Sequence, residues 1–556
     1  MKQEIKKIIQ SAIQDSSCDF SVEVPDDKTH GDYSTNIALI LAKKLGKNPR
    51  EVAESIKAKT KSGLFSKIEI AGPGFINFFI KNKVFVDNLK KIDKDFGKGA
   101  ELKNKKIIID YTDPNPFKEF HIGHLMTNAV GESLSRIFEF QGAKVKRVCY
   151  QGDVGIHVAK AIWGKINGAK NLSWGMAYAY GTQMYDEDET AKKEIIELNK
   201  KVYERSDKNI NKLYDQGKQE SLKRFDEIYK KLDTKFDYFI FESQVVDLGK
   251  KIVEKGLKDG IFEKGLPAGR QGDNGAVIFK GEKYGLHTRV FINSEGLPTY
   301  EAKDLGLAEV KYEKFPYDMS FVVAANEINE YFKVMLCAMS QINPRLAKRT
   351  KHIGHGMLRL PEGKMSSRTG KVITGESLIE KVEELVKDKV KDRELSEKEK
   401  AGIIQSVAIG AIRYSILKQS IGSDIIYDFD RSISFEGDSG PYLQYSYTRA
   451  ESVLRKAKVE KVKASLRKSP EDISELEKAM CNFPDIVLQT GKDCQPNHLV
   501  LYLTDLAGLF NGYYAKNKIV DKKDEFSPYK IAVTNAFATI MKNGMWMLGI
   551  NSLEKM

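Results

Sequence analysis

The chain has 556 residues, 41% apolar and 30% charged, with a formal net charge of +13. At roughly 150 residues per domain this predicts three or four domains, with enough apolar sequence for real cores. No run approaches the roughly 18 apolar residues of a membrane span. Met1 to Ile9 mixes charge with apolar residues at helical spacing, unlike a secretory signal, so the cytoplasm is the expected compartment. The positive surplus suits a polyanionic partner through phosphate neutralisation, although lysines matched by glutamates on helix faces would give the same composition. Cys18, Cys149, Cys337, Cys481 and Cys494 show no C-x-x-C spacing. Reduced thiols are therefore expected, with no structural zinc.

In chain order, residues 1–100 read as a small α+β unit. A helix with an apolar stripe is predicted over Tyr33 to Ala42, and Asn48-Pro49 starts another. Ile68 to Ile80 reads as two strands around the Gly72-Pro73-Gly74 turn. Ile107 to Tyr111 is a β-branched run fit for a buried parallel strand. It is followed by a loop, a helix over Gly123 to Phe140, and a strand over Val145 to Tyr150. Strand, loop, helix and strand in so short a span predict a βαβ unit of a doubly wound sheet. Residues from about 165 to 290 read as a charged, mostly helical insertion ending in a Gly-rich loop with a strand at Ala276 to Phe279. Strands resume at Ser320 to Ala325 and His352 to Leu358, and from about 395 onward the pattern is helical. Lys456 to Lys468 is Lys-rich and reads as a solvated face.

Two segments carry chemistry. His121-Ile122-Gly123-His124 stands between a predicted strand and a predicted helix. A helix start presents unpaired N–H groups and a positive dipole end, which favour phosphate. Gly123 lets a ligand approach the backbone. Two histidines three residues apart share one side of the first turn, where they can stabilise charge developing on a phosphate. Lys118 adds a point charge. A histidine pair that only caps a helix is the plainer alternative. About 240 residues later, Gly363-Lys364-Met365-Ser366-Ser367-Arg368 forms a cationic, hydroxyl-rich loop able to close over pyrophosphate.

These two segments resemble the signature motifs of class I aminoacyl-tRNA synthetases, and further stretches resemble the arginyl-tRNA synthetase family over nearly the whole chain. They are His30 to Asn36 with Gly72 to Asn77, Pro114 to His124, Tyr150 to Gly155, Thr299-Tyr300 with Lys303-Asp304, and Phe435 to Tyr445. The resemblance implies a multidomain α/β protein. A small α+β N-terminal domain that contacts tRNA would span 1–100. A Rossmann-type doubly wound catalytic domain would span 101–375 with its insertion. A helical connection would cover 376–430 and an all-α anticodon-binding domain 431–556. It implies a ligase that activates L-arginine with ATP and Mg²⁺ and transfers it to the terminal ribose of tRNA(Arg), in most family members only with tRNA bound. A monomer is expected.

By the same resemblance Lys118, His121, His124 and Lys364 are the catalytic groups. ATP would be held by His121, Gly123, His124, Met365, Ser366 and Arg368. Asp110, Asn115, Tyr300 and Asp304 would hold arginine, Asp304 as the partner of the guanidinium. Asn77, Tyr442, Gln444, Tyr445 and also Tyr447 would meet tRNA, the tyrosines by stacking on unstacked bases. Packed helix faces are the alternative for each tyrosine. Two departures stand out. The second signature has Ser367-Arg368 in place of a second lysine, a charge Lys118 is expected to supply. The family's pocket glutamine has no counterpart at Asn326-Glu327-Ile328-Asn329. The competing readings are another class I specificity, a small-molecule adenylyltransferase and a non-catalytic RNA-binding paralogue.

Overall fold

The computed structural model describes residues 1–169, 171–265, 275–359, 374–391 and 393–556. The N-terminal region opens with α1 (Lys2–Ile13), which buries Ile5 and Ile9. It continues through β1 (Val22–Glu23), β2 (Tyr33–Thr35), α2 (Ile37–Leu45), α3 (Pro49–Lys59), β3 (Phe65–Ala71), β4 (Phe75–Ile80) and α4 (Asn82–Leu89). The four strands form an antiparallel sheet in the order β1-β2-β4-β3. The β3–β4 hairpin turns at Gly72 and Gly74, both with positive φ. A Cβ at Gly74 would lie 3.0 Å from the Pro49 carbonyl oxygen. The helix predicted from Tyr33 starts only at Ile37, because Tyr33 to Thr35 pair with Ile76 to Phe78 as a strand. The β-branched Thr35 and the buried Tyr33 ring suit that pleated surface.

The main sheet starts with β5 (Lys106–Asp110), whose Ile107, Ile108 and Ile109 are wholly buried. α5 (Ile122–Phe140) crosses to β6 (Lys144–Gln151). Four helices follow: α6 (Ile156–Asn167), α7 (Trp174–Glu187), α8 (Glu189–Glu204) and α9 (Lys208–Lys231). A Cβ at Gly164 would lie 2.0 Å from the Ala177 carbonyl oxygen, so only glycine lets α6 and α7 approach this closely. β7 (Tyr238–Phe241) then returns to the main sheet beside β6, and α10 (Glu242–Lys258) packs on α11 (Tyr300–Lys314). Between those helices lies a small antiparallel sheet of β8 (Glu263–Lys264), β9 (Val277–Phe279) and β10 (Arg289–Ile292). The expected single insertion over 165–290 is thus corrected to two pieces, one on each side of β7. Tyr238 to Phe241 is too short and too closely flanked by charged helices to stand out as a sheet strand in the sequence.

β11 (Met319–Ala325) follows α11, and α12 (Asn329–Ile342) with α13 (Pro344–Arg349) leads to β12 (Thr350–His355). All five strands are parallel in the order β12-β11-β5-β6-β7. The chain first steps outward from β5 to β7, then returns on the other side of β5 with β11. That reversal between β5 and β11 is a topological switch point, where ligands of such sheets sit at the carboxyl ends of the strands.

Beyond the sheet, β13 (Leu358–Arg359) pairs with β14 (Ile425–Ile426). The helices are α14 (Gly375–Val390), α15 (Glu397–Leu417), α16 (Phe429–Ser432), α17 (Gly440–Val459), α18 (Glu475–Met480), α19 (Phe483–Asp493), α20 (Asn497–Lys516) and α21 (Ser527–Met547). One apolar core runs from the sheet through α5 into this bundle, joining Ile107, Leu134, Val407, Leu503 and Met545. Polar ties add register: the Gln141 amide donates to the Val487 carbonyl at 2.7 Å. At the N-terminal region the Tyr33 hydroxyl donates to Asn482 at 2.6 Å.

Candidate active site

The segment after β5 is bent by three non-glycine residues with positive φ, Thr112 (+80°), Asp113 (+48°) and Phe117 (+71°). It delivers His121 as the N-cap of α5. The Gly123 N–H donates to His121 Nδ1 at 3.1 Å, and the His121 N–H donates to His124 Nδ1 at 3.0 Å. The two rings stack with centroids 3.6 Å apart. A ring nitrogen that accepts a backbone N–H carries no proton, so both imidazoles are neutral with the proton on Nε2. The surroundings agree. Burial, then the Lys118 charge, lowers His121 to about 4, and burial, with His121 and Lys118 close by, holds His124 well below the ordinary range. Each ring therefore keeps an Nε2–H to donate. Gly123 is needed because a Cβ there would come within 3.0 Å of the His121 ring. Lys118 has its Nζ 4.9 Å from the Tyr178 ring centre on α7.

At the switch point, between the ends of β5 and β11, lies a cavity of about 250 Å³. Asp110, Asp113, Tyr150, Tyr300, Asp304, Lys311 and Tyr331 line it together with apolar groups such as Val322, Phe332 and Met335. Asp110 Oδ2 accepts from Lys311 Nζ at 3.2 Å, while its Oδ1 is buried without a partner. Burial raises Asp110 against the pull of Lys311. Burial and the neighbouring Asp110 charge raise Asp113 well above the carboxylate range, so the two carboxyls share a proton more readily than both ionise. Asp304 accepts from the Tyr331 hydroxyl at 2.6 Å, and burial pushes it up to about 7. Three carboxyls against one lysine, on apolar walls, make a container for an elongated cation.

Asp110 and Asp304 are therefore brought together as expected, with Tyr300 at the rim, 59% exposed. Asn115 stands to one side: its Oδ1 accepts from the Gly152 N–H at 2.7 Å and it does not line the cavity. Ile328 lines the wall near the missing glutamine, and Asn326 turns away to the Gly422 carbonyl. Asp113, Tyr150, Lys311 and Tyr331 escaped the sequence reading, as did the buried Glu242–Lys303 pair at 2.7 Å. Asp113 lies in the loop after the first strand with nothing in the sequence to aim it at the pocket, and Tyr331 comes from a helix nearly 30 residues past Asp304. Lys364, Met365, Ser366 and Arg368 lie outside the described residues. Just after them, Thr374 bridges to His121 and the Gly375 N–H donates to the Phe120 carbonyl at 2.6 Å.

Of the expected tRNA-facing residues, three are corrected. Asn77 is 3% exposed within the β-sheet and accepts from the Ser34 hydroxyl. Gln444 is wholly buried and donates to the Ser406 and Asn551 carbonyls. Their amides tie elements together and present no edge to a ligand. Tyr447 is likewise in the bundle core. Tyr442 and Tyr445 instead line an open cavity of about 560 Å³ with Phe435, Arg449 and Asn511, and the Arg449 guanidinium lies 4.7 Å from the Tyr445 ring centre. All five cysteines are free thiols. Among the described residues no three His, Cys, Asp or Glu side chains are gathered to hold a metal, and no helix is long and apolar enough to cross a membrane.

Comparison with known proteins covers the chain from end to end. The family model for the class I (R) tRNA synthetase catalytic domain matches residues 87–429. The arginyl tRNA synthetase N-terminal domain matches residues 1–80, and the DALR anticodon binding domain residues 443–556. The chain is similar to the arginine–tRNA ligase of Fusobacterium nucleatum, 32% identical over 96% of this chain and 95% of that one. It is also similar to that of Borreliella burgdorferi, 29% identical over 100% and 99%. Its fold is similar to the crystal structure of arginyl-tRNA synthetase from Plasmodium falciparum, with a TM-score of 0.79 at 22% identity over 100% and 99% of the two chains. The Thermus thermophilus arginyl-tRNA synthetase gives 0.77 at 20% identity, with both chains fully covered. The chain belongs to the arginyl-tRNA synthetase family of class I aminoacyl-tRNA synthetases.

Proposed function

We propose that the chain is an arginine–tRNA ligase whose arginine site is the acid-lined cavity and whose phosphate site is the start of α5. One observation carries this reading. The strand that carries Asp110 into a cavity where Asp110, Asp113 and Asp304 outnumber Lys311 runs on through Asp113 to a pair of neutral histidines at the start of α5, each with an Nε2–H left to donate. The guanidinium enters the cavity and meets Asp304, with Tyr331 holding the carboxylate in place. The α-carboxylate is left at the mouth, near Tyr300. One of its oxygens attacks the ATP α-phosphorus, the α–β bridging P–O bond breaks, and pyrophosphate departs with Mg²⁺, which arrives as part of the substrate. His121 and His124 donate through Nε2–H to the phosphate oxygens as charge develops there. Lys118 moves off Tyr178 to add its charge, and Lys364 acts from the second loop. The terminal ribose 2′-hydroxyl then attacks the adenylate carbonyl, AMP leaves, and the hydroxyl proton leaves with it. Neither step uses a protein nucleophile, so catalysis is positioning and charge stabilisation.

The 1–100 region contacts tRNA, the 101–375 region performs the chemistry, and 431–556, joined through 376–430, reads the anticodon at the Tyr442–Tyr445 cavity. Activation waits for bound tRNA(Arg), and the protein acts as a cytoplasmic monomer. ATP–pyrophosphate exchange with each amino acid, with and without tRNA(Arg), tests the whole scheme. Exchange with arginine alone, and only with tRNA(Arg), supports it. Equal exchange with lysine, or equally fast exchange without tRNA, removes the corresponding part.

A further inference from the structure

The backbone that carries Asp113 is held from an unexpected direction. Thr112 has φ +80°, a left-handed conformation that is strained for a β-branched residue and persists only where the surroundings impose it. Thr112 is 2% exposed, and its hydroxyl accepts from Asn128 Nδ2 on α5 at 3.1 Å. Asn128 Oδ1 in turn accepts from Arg413 Nη2 on α15 at 3.3 Å and from the Thr234 hydroxyl at 3.2 Å. Arg413 is anchored by the Leu232 carbonyl at 2.6 Å. On its other side the tail after α21 lies flat against it, since a Cβ at Gly549 would fall 1.9 Å from Nη1. All four side chains of this chain are at least nine-tenths buried.

We infer that Asn128, aligned by Arg413, is a positioning residue for the amino-acid pocket: it holds Thr112 in its strained conformation and so places Asp113 against Asp110. The helical bundle thereby sets the shape of the arginine pocket through one side-chain path that runs through α5 within two turns of the histidines but includes neither of them. This rests on the reading of the acid-lined cavity as the arginine site. Neither Asn128 nor Arg413 touches the cavity, so their loss acts on arginine binding only through Thr112.

The test is a set of variants measured for arginine KM, ATP KM and thermal midpoint in tRNA-supported pyrophosphate exchange. Asn128→Ala is expected to raise the arginine KM about tenfold, the size of one lost buried hydrogen bond and its misplacement, with the ATP KM within about twofold. Thr112→Val removes the hydroxyl at constant shape and is expected to do the same without a large cavity. Thr112→Gly takes a positive φ without support and is expected to raise the arginine KM no more than about threefold. The decisive variant is Asn128→Ala with Thr112→Gly, expected to return to the Thr112→Gly value. A double variant as poor as Asn128→Ala, a normal arginine KM in Thr112→Val, or an equal rise in both KM values overturns the inference. Asp304→Asn in the same assay tests the pocket by itself. An unchanged arginine KM there removes the pocket reading, while the contrast between Thr112→Val and Thr112→Gly still decides the tether.

Discussion

Asp304 offers the sharpest quantitative test, because burial raises its carboxyl to about 7. Guanidinium binding favours the carboxylate, so below that pH arginine must first expel a proton. The apparent dissociation constant scales with the inverse of the ionised fraction, which falls about tenfold from pH 8 to pH 6. Arginine KM is therefore expected to rise about tenfold over that interval, and more steeply if the Asp110–Asp113 pair also releases a proton. Asp304→Asn removes a desolvated charge partner at a cost of about 3 kcal/mol, on the order of a hundredfold in arginine KM at pH 8. At pH 6 the parent is itself mostly protonated, so the penalty of the substitution shrinks about tenfold. Steady-state exchange at saturating ATP and tRNA, run at pH 6, 7 and 8 on both proteins, reads these numbers. A flat arginine KM in the parent, or an equal penalty at pH 6 and pH 8, refutes the reasoning. Stability follows the same sign. A carboxyl raised in the folded state stabilises the fold in acid, and that contribution is lost as pH climbs through the folded value. Without arginine, the protein should lose stability as pH rises toward about 7, and arginine should raise the thermal midpoint more at pH 8 than at pH 6.

Lys118→Ala is expected to cut adenylate formation on the order of a hundredfold, the scale of one removed donor to developing charge, while tRNA affinity by filter binding stays the same; normal single-turnover activation would rule out its role. Because burial lowers His121 to about 4 and holds His124 well below the ordinary imidazole range, kcat should show no histidine inflection between pH 6 and pH 9, and a step near 6.5 would mean that the pair works as imidazolium. Gly131→Ala would drive a Cβ to 2.2 Å from the Tyr111 ring, so unfolding in urea should show a loss of about 1–3 kcal/mol, and an unchanged midpoint would contradict the packing. Tyr33→Phe removes the 2.6 Å bond to Asn482 and should cost about 1 kcal/mol, read by the same denaturant titration.

The catalytic sheet was legible where the signal is local. Ile107 to Ile109, the helix after His121 and the strand ending at Gln151 follow from β-branched runs and helix periodicity. β7 was hidden because four residues between charged helices carry too little pattern to declare a strand. The histidine pair was readable because its chemistry and its placement lie in four consecutive residues. Their neutral state was not, because it depends on two backbone hydrogen bonds that form only at the folded cap. The pocket was half legible: Asp110 and Asp304 came through family resemblance, whereas Lys311 and Tyr331 reach it from the helices on either side of β11, which returns beside β5, and Asp113 is turned into it by the positive-φ bend after β5. Asn77 and Gln444 show the opposite failure. Polar side chains in promising motifs proved to be internal ties, a distinction that burial alone decides.

The central claim is that one acid-lined cavity at the switch point selects arginine for activation. Pyrophosphate exchange by the parent and by Asp304→Asn, each offered arginine, lysine, citrulline and glutamine with tRNA(Arg) and ATP, tests it most directly. The account predicts that the parent uses arginine alone and that Asp304→Asn loses most of that exchange by raising the arginine KM. It is contradicted if the parent activates citrulline as well as arginine, since the neutral analogue keeps the shape and lacks the charge, or if Asp304→Asn binds arginine as the parent does.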